Sequence, residues 1–550
     1  MSERRLLLDR LERRAFDLLI IGGGIVGAGI ARDAAMRGLS VALIEQGDFA
    51  SGTSSKTSKL IHGGLRYLEQ GRIRLVAESV REREVLRTIA PEVVNPLSLL
   101  LPLYRDNSRP VWKIRAGLWL YDRFASGNAA IPSSLLTADQ ALAEEPRLSK
   151  EGLLAAGRYG DCQMNDARLC LLNVLQASGF GSVCLNYARA RALLFAQGQV
   201  CGAAVEDILD GQAYEVRAAV VVNATGPWSD AVRRLSTEDA PARLAPTKGI
   251  HLIVPRISRN GLFIEAKRDR RMIFVLPWGA DASLIGTTES PVDGPLDALR
   301  PQPDEISYLL EEIRRAMPGE GLSERDLIAS FAGARPLLTY AGSTSKASRE
   351  HAIEVDKNSL ISILGGKYTT YRRMSQEVTD LVMRSMGRPG ERCVTDRVSL
   401  LEEVPELALG PWRSVLDRLG PETVARLIGR YGMDALSVFR LVQQDPALAQ
   451  PACSHHPYLA AELVHAIRNE LACTITDVLA RRTGVAWSAC HGLEILPSLV
   501  KWFEQHAGYS HARMARQVDA YVGFLSRAKV GHPVLGVSSV VGQAMHEVII

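Results

Sequence analysis

The stretch Phe16–Glu45, FDLLIIGGGIVGAGIARDAAMRGLSVALIE, constrains this chain more than any other. The apolar run Phe16–Ile21 reads as a buried parallel strand, since nothing in it alternates with polar residues beyond Asp17. Gly22-Gly23-Gly24-Ile25-Val26-Gly27 then turns tightly into a helix running to about Arg37, where Gly38 can take the left-handed cap conformation. Ser40–Ile44 is the second strand. In such a unit Gly22 permits the turn, Gly24 lets the backbone approach a pyrophosphate, and Gly27 lets helix and strand pack closely. The pyrophosphate rests on unpaired helix N–H groups, favoured by the positive end of the dipole. Glu45 ends the second strand, where a carboxylate accepts hydrogen bonds from ribose hydroxyls. Glycines alone are a weak signal. Strand, glycines, helix, strand and terminal acid in register specify a dinucleotide-binding βαβ unit.

A chain of 550 residues leaves room for several domains. Its 65 basic and 61 acidic residues nearly cancel, so no nucleic-acid partner is expected and any anion site must be local. The eight cysteines form no CxxC pair and no ladder of ligand spacings, which reads as scattered reduced thiols and no metal. His455-His456 reads as an exposed turn before Pro457. No apolar run reaches membrane-spanning length. A secretory leader is not expected either, because the nucleotide strand begins at Phe16 and cleavage would destroy it. Met1–Arg14 is a short basic helix candidate.

After Glu45 the segment Asp48–Ser58 is small and hydroxyl-rich, and Gly63-Gly64 allows a backbone to approach a flat ligand closely. Arg72–Ile89 reads as a charged amphipathic helix with a solvated face. Arg109–Phe124 places Ile114, Leu118 and Tyr121 on one helical face. A partly buried surface helix is the plain reading, and a membrane-interface helix the alternative. Ala218–Gly226 is a second buried strand, and the β-rich runs from Lys248 to Thr288 suggest an antiparallel sheet. Ser359–Leu364 is a third core strand, closed by Gly365-Gly366-Lys367 and followed by a helix to about Ser385. Gly387–Gly390 reads as a linker, beyond which the pattern is helical.

One nucleotide unit without a second argues against a complete additional NAD(P)H domain. Three strands that end in glycine turns, at Gly22, Gly226 and Gly365, favour FAD, an extended ligand crossing several strand ends. The helix after Gly365 can aim its positive end at the flavin and stabilise the reduced anion.

The motifs TSSKTSKLIHGGLRYLEQG, YGDCQMNDARL, VVNATGPWSD, KGIHLIV, FVLPWG, LIGTTE, FAGARPL and LGGKYTTYRRM, with the nucleotide stretch above, resemble the FAD-dependent glycerol-3-phosphate dehydrogenases. The resemblance runs from about residue 16 to 385 and continues more weakly through AIRNELACTITDVLARRTG. Glu289 stands where an aspartate is common in that family, with little effect expected, and the cysteine-rich module of its iron–sulfur-linked members is absent. The resemblance implies an α/β fold of three parts: a split Rossmann-like FAD-binding domain (16–95, 151–240, 326–386), an antiparallel-sheet substrate domain (96–150, 241–325) and an α-helical C-terminal domain (391–550). It implies oxidation of sn-glycerol 3-phosphate to dihydroxyacetone phosphate, with electrons passed to a membrane quinone. The expected location is cytoplasmic, peripherally attached to an anionic membrane surface at the inner face of the cell membrane, with a homodimer left open.

Oxidising a secondary alcohol by hydride transfer needs a base, a cation near the developing alkoxide and a grip on the phosphate. The matching motifs assign catalysis to His251, Arg335 and Lys367, with His251 the first choice of base because an unperturbed imidazole titrates near working pH. Substrate contacts fall to Arg66, Tyr67, Asp269, Arg335, Arg349 and Lys367, since a phosphate dianion suits guanidinium forks and a point charge. Cofactor contacts fall to Gly22, Gly24, Gly27, Glu45, Ser54, Ser55, Lys59, His62, Gly63, Gly64, Leu65, Ala224, Thr225, Gly226, Trp228, Gly333, Gly365, Gly366, Lys367 and Thr369. Read without the motifs, His251 is a satisfied core histidine and the arginines are surface ion pairs. Two other readings stay open: a flavin oxidase or dehydrogenase of amino or hydroxy acids, and a flavin-bound non-catalytic protein at a membrane surface.

Overall fold

A computed structural model describes residues 3–69, 71–124, 131–340, 343–348, 350–388 and 390–528; the side chains of Glu3, Arg66, Tyr340 and 343–348 are not among what it describes. The apolar run forms β1 (Phe16–Ile21), buried apart from Asp17, whose carboxylate accepts bonds from Ser40 N and Oγ at 2.7 and 2.8 Å. Helix α1 (Ile25–Met36) lays Ala28, Ala31 and Ala34 into the core, then gives way to β2 (Val41–Ile44). A methyl group at Gly27 would stand 1.9 Å from Gly22 O, so helix and strand touch only because that position has no side chain.

Strands β3 (Val183–Leu185), β4 (Ala213–Asn223), β5 (His351–Val355) and β6 (Ile361–Gly365) join them in the order β5-β6-β4-β1-β2-β3, the main path of an eight-stranded sheet. Along this path all neighbours run parallel except the β5–β6 hairpin, and Ala188–Ala196 and Gln199–Asp207 extend the first half of β4 antiparallel. Leu18, Leu19 and Ile20 of β1 pair with Val220, Val221 and Val222 of β4. Three strands therefore end side by side at Ile21, Asn223 and Gly365, the crevice where an open parallel sheet receives ligand.

The second sheet has ten strands, antiparallel apart from the pair Val94–Tyr104 and Gly261–Glu265. It reaches further along the chain than the expected boundaries. Leu153–Met164 pairs with Val94–Tyr104 over its whole length, and Ala329–Arg335 pairs with Thr247–Pro255, although both were assigned to the nucleotide domain. Leu60–Ile61 also joins it, through Gln163 and Cys162. Strands from the nucleotide segments thus enter the second sheet directly, and the two layers share the crevice between them.

The segment 72–89 forms helix α2 (Ile73–Ile89), amphipathic as expected, with Arg74, Arg81 and Thr88 exposed. Its buried face is the departure: Glu82 and Arg83 are buried, paired with Arg372 at 2.5 Å and Asp161 at 2.7 Å. Charged residues read as surface by composition are here the partners of an internal network. Helix α3 (Val111–Phe124) buries Ile114, Leu118 and Tyr121 as its periodicity requires. Glu3–Arg13 is helical, and Arg4 pairs with buried Asp207 at 2.8 Å.

The C-terminal region is helical around a core that includes Leu463, Val478, Leu499, Phe503 and Tyr521. It is bolted to the nucleotide layer by buried charge. Asp48, just beyond β2, accepts from Arg481 Nε at 2.5 Å and from Arg482 Nη1 at 2.6 Å. Arg168 on α4 (Asp166–Gly179) pairs with Glu470.

Candidate active site

A cavity of about 810 Å³ opens where the sheets meet. At one end β2 delivers Glu45, whose Oε2 accepts from Gly23 N at 2.7 Å and Oε1 from Gly47 N at 2.8 Å. Burial pushes this carboxyl upward, and the two amides oppose the shift. In the middle stand Gly22, Gly24 and Ser54, whose Oγ accepts from Ile25 N at 2.9 Å. Helix α1 begins here at Gly24, which has no side chain to cap it, and its first turn carries no acidic residue, so its positive end is available at the cavity. From the neighbouring strand ends come Ala224, Thr225, Gly226 and Trp228.

At the other end Gly365, Gly366, Lys367 and Thr369 follow β6 and meet Gly333, Arg335, His62 and His251. Gly366 has φ of 98°, and a methyl group there would strike Met374, so the turn requires glycine. Thr369 clamps the opposite wall, its Oγ1 accepting from His62 N at 3.1 Å. Lys367 is buried; its Nζ lies 3.0 Å from Ser79 Oγ and 4.9 Å from the centre of the Tyr67 ring. Arg335 donates to Thr287 Oγ1 at 2.7 Å and Thr288 O at 3.0 Å, which fixes its guanidinium across the strand.

His251 stacks on Phe331 at 5.0 Å, with Nε2 2.9 Å from Ser58 Oγ. Burial first, then Arg335 and Lys59, hold its pKa well below the usual imidazole value. The expectation of a group titrating near working pH is therefore corrected: the ring is neutral there, because a cation would be added among cations in a dry wall.

Some residues expected to touch the cofactor support the wall instead. Gly27 packs helix on strand, and Lys59 is taken by Asp166 at 2.6 Å. Gly63 donates to Tyr121 Oη at 2.8 Å and packs against Val80. Gly64, with φ of 81°, turns the chain beside Tyr67. Leu65 lies in the core beneath α3, and Ser55 sits outside the cavity lining with its carbonyl on Lys59 Nζ at 2.6 Å. Asp269 does not reach the cavity; it lies on an exposed turn, accepting from Arg271 and from Tyr308 Oη at 3.0 Å. Arg349 lies outside the described residues, as does the side chain of Arg66.

Ser58 and Lys56 line the cavity and lie inside the motif TSSKTSKLIHGGLRYLEQG, although the sequence reading assigned neither a role. Ser58 Oγ meets His251 Nε2, and Lys56 has its pKa lowered by burial and by Arg481. Their hydroxyl-rich loop was legible as a loop, but not which of its residues turn inward.

The residues fit an FAD molecule: glycine at the pyrophosphate position, a carboxylate beyond β2 and a cationic wall at the far end suit its phosphate, ribose and ring in turn. Residues 17–369 match the family described as FAD dependent oxidoreductase, and residues 360–514 match the C-terminal domain of alpha-glycerophosphate oxidase. The chain is 35% identical over 543 residues to a glycerol-3-phosphate dehydrogenase of Synechocystis sp., covering 94% of this chain and 97% of the relative. It is 37% identical over 533 residues to glycerol-3-phosphate dehydrogenase 2 of Mycobacterium tuberculosis, covering 95% and 90%. Among solved structures it is similar to the glycerol-3-phosphate dehydrogenase of Bacillus halodurans complexed with FAD, with a TM-score of 0.75, 28% identity and 96% and 98% of the two chains covered.

Proposed function

The chain belongs to the FAD-dependent glycerol-3-phosphate dehydrogenases, and we propose how its own residues carry out the oxidation of glycerol 3-phosphate with FAD. The observation that carries the proposal is the convergence of His251, Arg335 and Lys367 on the end of the cavity formed by Gly365-Gly366. Bound FAD would supply the hydride acceptor. The Ser58–His251 pair receives the hydroxyl proton: both line the cavity, and His251 Nε2, on a ring neutral at working pH, lies 2.9 Å from Ser58 Oγ. Arg335 holds positive charge where alkoxide character develops, already fixed by Thr287 and Thr288, so little reorganisation is needed. Lys367 adds a second cation for the phosphate, with Arg66 and Arg349 proposed as its guanidinium partners. Glu45 and the start of α1 position the cofactor's ribose and pyrophosphate.

The electron acceptor is proposed to be a lipid-soluble quinone, reached by peripheral attachment at the membrane. No described helix is long and apolar enough to cross a membrane. What supports attachment is α3, where Trp112 and Trp119 are 71% and 65% exposed. They stand two turns apart on the face opposite Ile114, Leu118 and Tyr121, among exposed Lys113, Arg115 and Arg123.

Anaerobic mixing with glycerol 3-phosphate tests the catalytic assignment by the rate of flavin bleaching. A hydrogen bond to a charged group contributes about 1.5–3 kcal/mol, so Arg335→Ala slows bleaching roughly ten- to 150-fold with flavin retained. An Arg335→Ala enzyme reduced at the wild-type rate would remove the guanidinium from the mechanism.

A further inference from the structure

Outside the lining of the flavin cavity, the C-terminal region gathers two thiols and an imidazole. We propose that Cys453, His455 and Cys490 bind a thiophilic divalent cation of the zinc class, which staples the hairpin Pro451–Leu459 to the loop 488–493. The two sulfurs and a ring nitrogen of His455 lie within 4.8 Å of one another. Ligand atoms around a tetrahedral zinc ion, at about 2.3 Å for sulfur and 2.0 Å for nitrogen, stand roughly 3.5–4 Å apart. The three groups are therefore within a small inward movement of a coordination sphere.

The Cys490 sulfur is already presented as an acceptor. Gly492 N donates to Cys490 Sγ at 3.5 Å, and Ser488 Oγ lies 3.4 Å from it. A donor two residues beyond a cysteine stabilises thiolate charge, and Gly492 reaches its place with φ of 66°, which favours glycine. His455 Nδ1 is 3.3 Å from Glu494 Oε1, a carboxylate beside the imidazole of the kind that orients metal-bound histidines. A bound dication would ionise both thiols. Two thiolates then balance the cation's charge, and two thiol protons leave to solvent. Two sulfurs and one nitrogen select a borderline-soft ion over magnesium or calcium. None of the three residues lines the flavin cavity, so the role is structural.

The test uses the reduced, FAD-loaded enzyme dialysed anaerobically against zinc chloride and then against metal-free buffer. About one zinc per FAD is expected to remain, with two thiols protected from a thiol reagent and, on cobalt exchange, thiolate-to-metal absorption. Cys490→Ser, at a half-exposed position, and His455→Ala, at an exposed turn, should each lower zinc affinity at least tenfold with FAD content and turnover unchanged. Zinc retained equally by wild type and both variants would overturn the site, and so would wild-type enzyme that retains none. Recovery of Cys453 and Cys490 joined as a disulfide after purification with zinc but without reductant would also overturn it.

Discussion

A histidine ring stacked on Phe331 and facing Arg335 and Lys59 gives up its proton well below neutrality. Its folded pKa lies beneath the unfolded value, so protonating His251 destabilises the native state and this cost grows as pH falls below the ordinary imidazole range. Histidine-selective nitrogen labelling, assigned with a His251→Asn variant, should show this ring neutral from pH 8 down to 6. A His251 ring that charges near pH 6.5 would show that the wall is wetter than the packing implies. Lys367 is testable by a different contrast. The phosphate takes no part in hydride transfer, yet its binding energy holds the carbinol carbon in place. Lys367→Met should lower kcat/KM for glycerol 3-phosphate about ten- to 150-fold and that for free glycerol much less, with flavin retained. Equal losses on both substrates would give this lysine a role in the flavin pocket or the fold, where Ser79 and Tyr67 already hold it.

At the scale of elements, the nucleotide unit was legible because each of its demands is local. A buried run, a glycine turn, a helix and a terminal acid follow one another within a single stretch of chain. The same locality exposed the strand ends at Gly226 and Gly365. What the pattern concealed was pairing over long separations. Leu153–Met164 reads as a strand anywhere, but only its register against Val94–Tyr104 places it in the second sheet. Glu82 and Arg83 look solvated until Arg372 and Asp161, far away in sequence, arrive beside them. Cys453, His455 and Cys490 were missed for the same reason, since no ligand spacing announces them. The docking of the C-terminal region is another such long-range contact, and it has a pH signature. Burial pushes Glu470 upward, but Arg168 and then His465 bring it down to about 2; Arg482 and Arg481 likewise bring Asp48 to about 2 against burial. A depressed carboxylate contributes stability above its unfolded pKa and loses it as pH falls through the folded one. The contribution is on the order of 2–3 kcal/mol for each, lost between about pH 4.5 and 2. Asp477, pushed upward by burial and by Asp48, offsets part of this. Limited proteolysis along a descending pH series should cut the C-terminal region before the nucleotide layer, and Glu470→Gln should be cut at neutral pH as well. Simultaneous loss of both layers at all pH values would mean that the bolt is not the weak joint.

For the whole molecule, the proposed lipid-soluble acceptor calls for a membrane contact, and no described helix is long and apolar enough to cross a membrane. Helix α3 is anchored by Ile114, Leu118 and Tyr121, with Tyr121 Oη donating to Asp161 at 2.6 Å, so its outer face is rigidly presented. Trp112 and Trp119 on that face are separated by about 10 Å of helix. Arg123 lies 5.8 Å from the Trp119 ring, so indole and guanidinium are offered together. Indoles belong at the headgroup boundary, and each basic residue near an anionic surface contributes about 1 kcal/mol. A large apolar side chain removed from water contributes about 1.5–3 kcal/mol more. Salt weakens the first contribution and leaves the second largely intact. The enzyme should therefore sediment with anionic phospholipid vesicles at low salt, and more weakly with neutral ones. Replacing Trp112 and Trp119 together by serine should lower vesicle affinity at least tenfold while bleaching by glycerol 3-phosphate proceeds at the wild-type rate. Turnover with a soluble dye should persist in that variant, and turnover with vesicle-embedded quinone should fall with the binding. A variant that binds vesicles as tightly as wild type would take α3 out of the membrane contact.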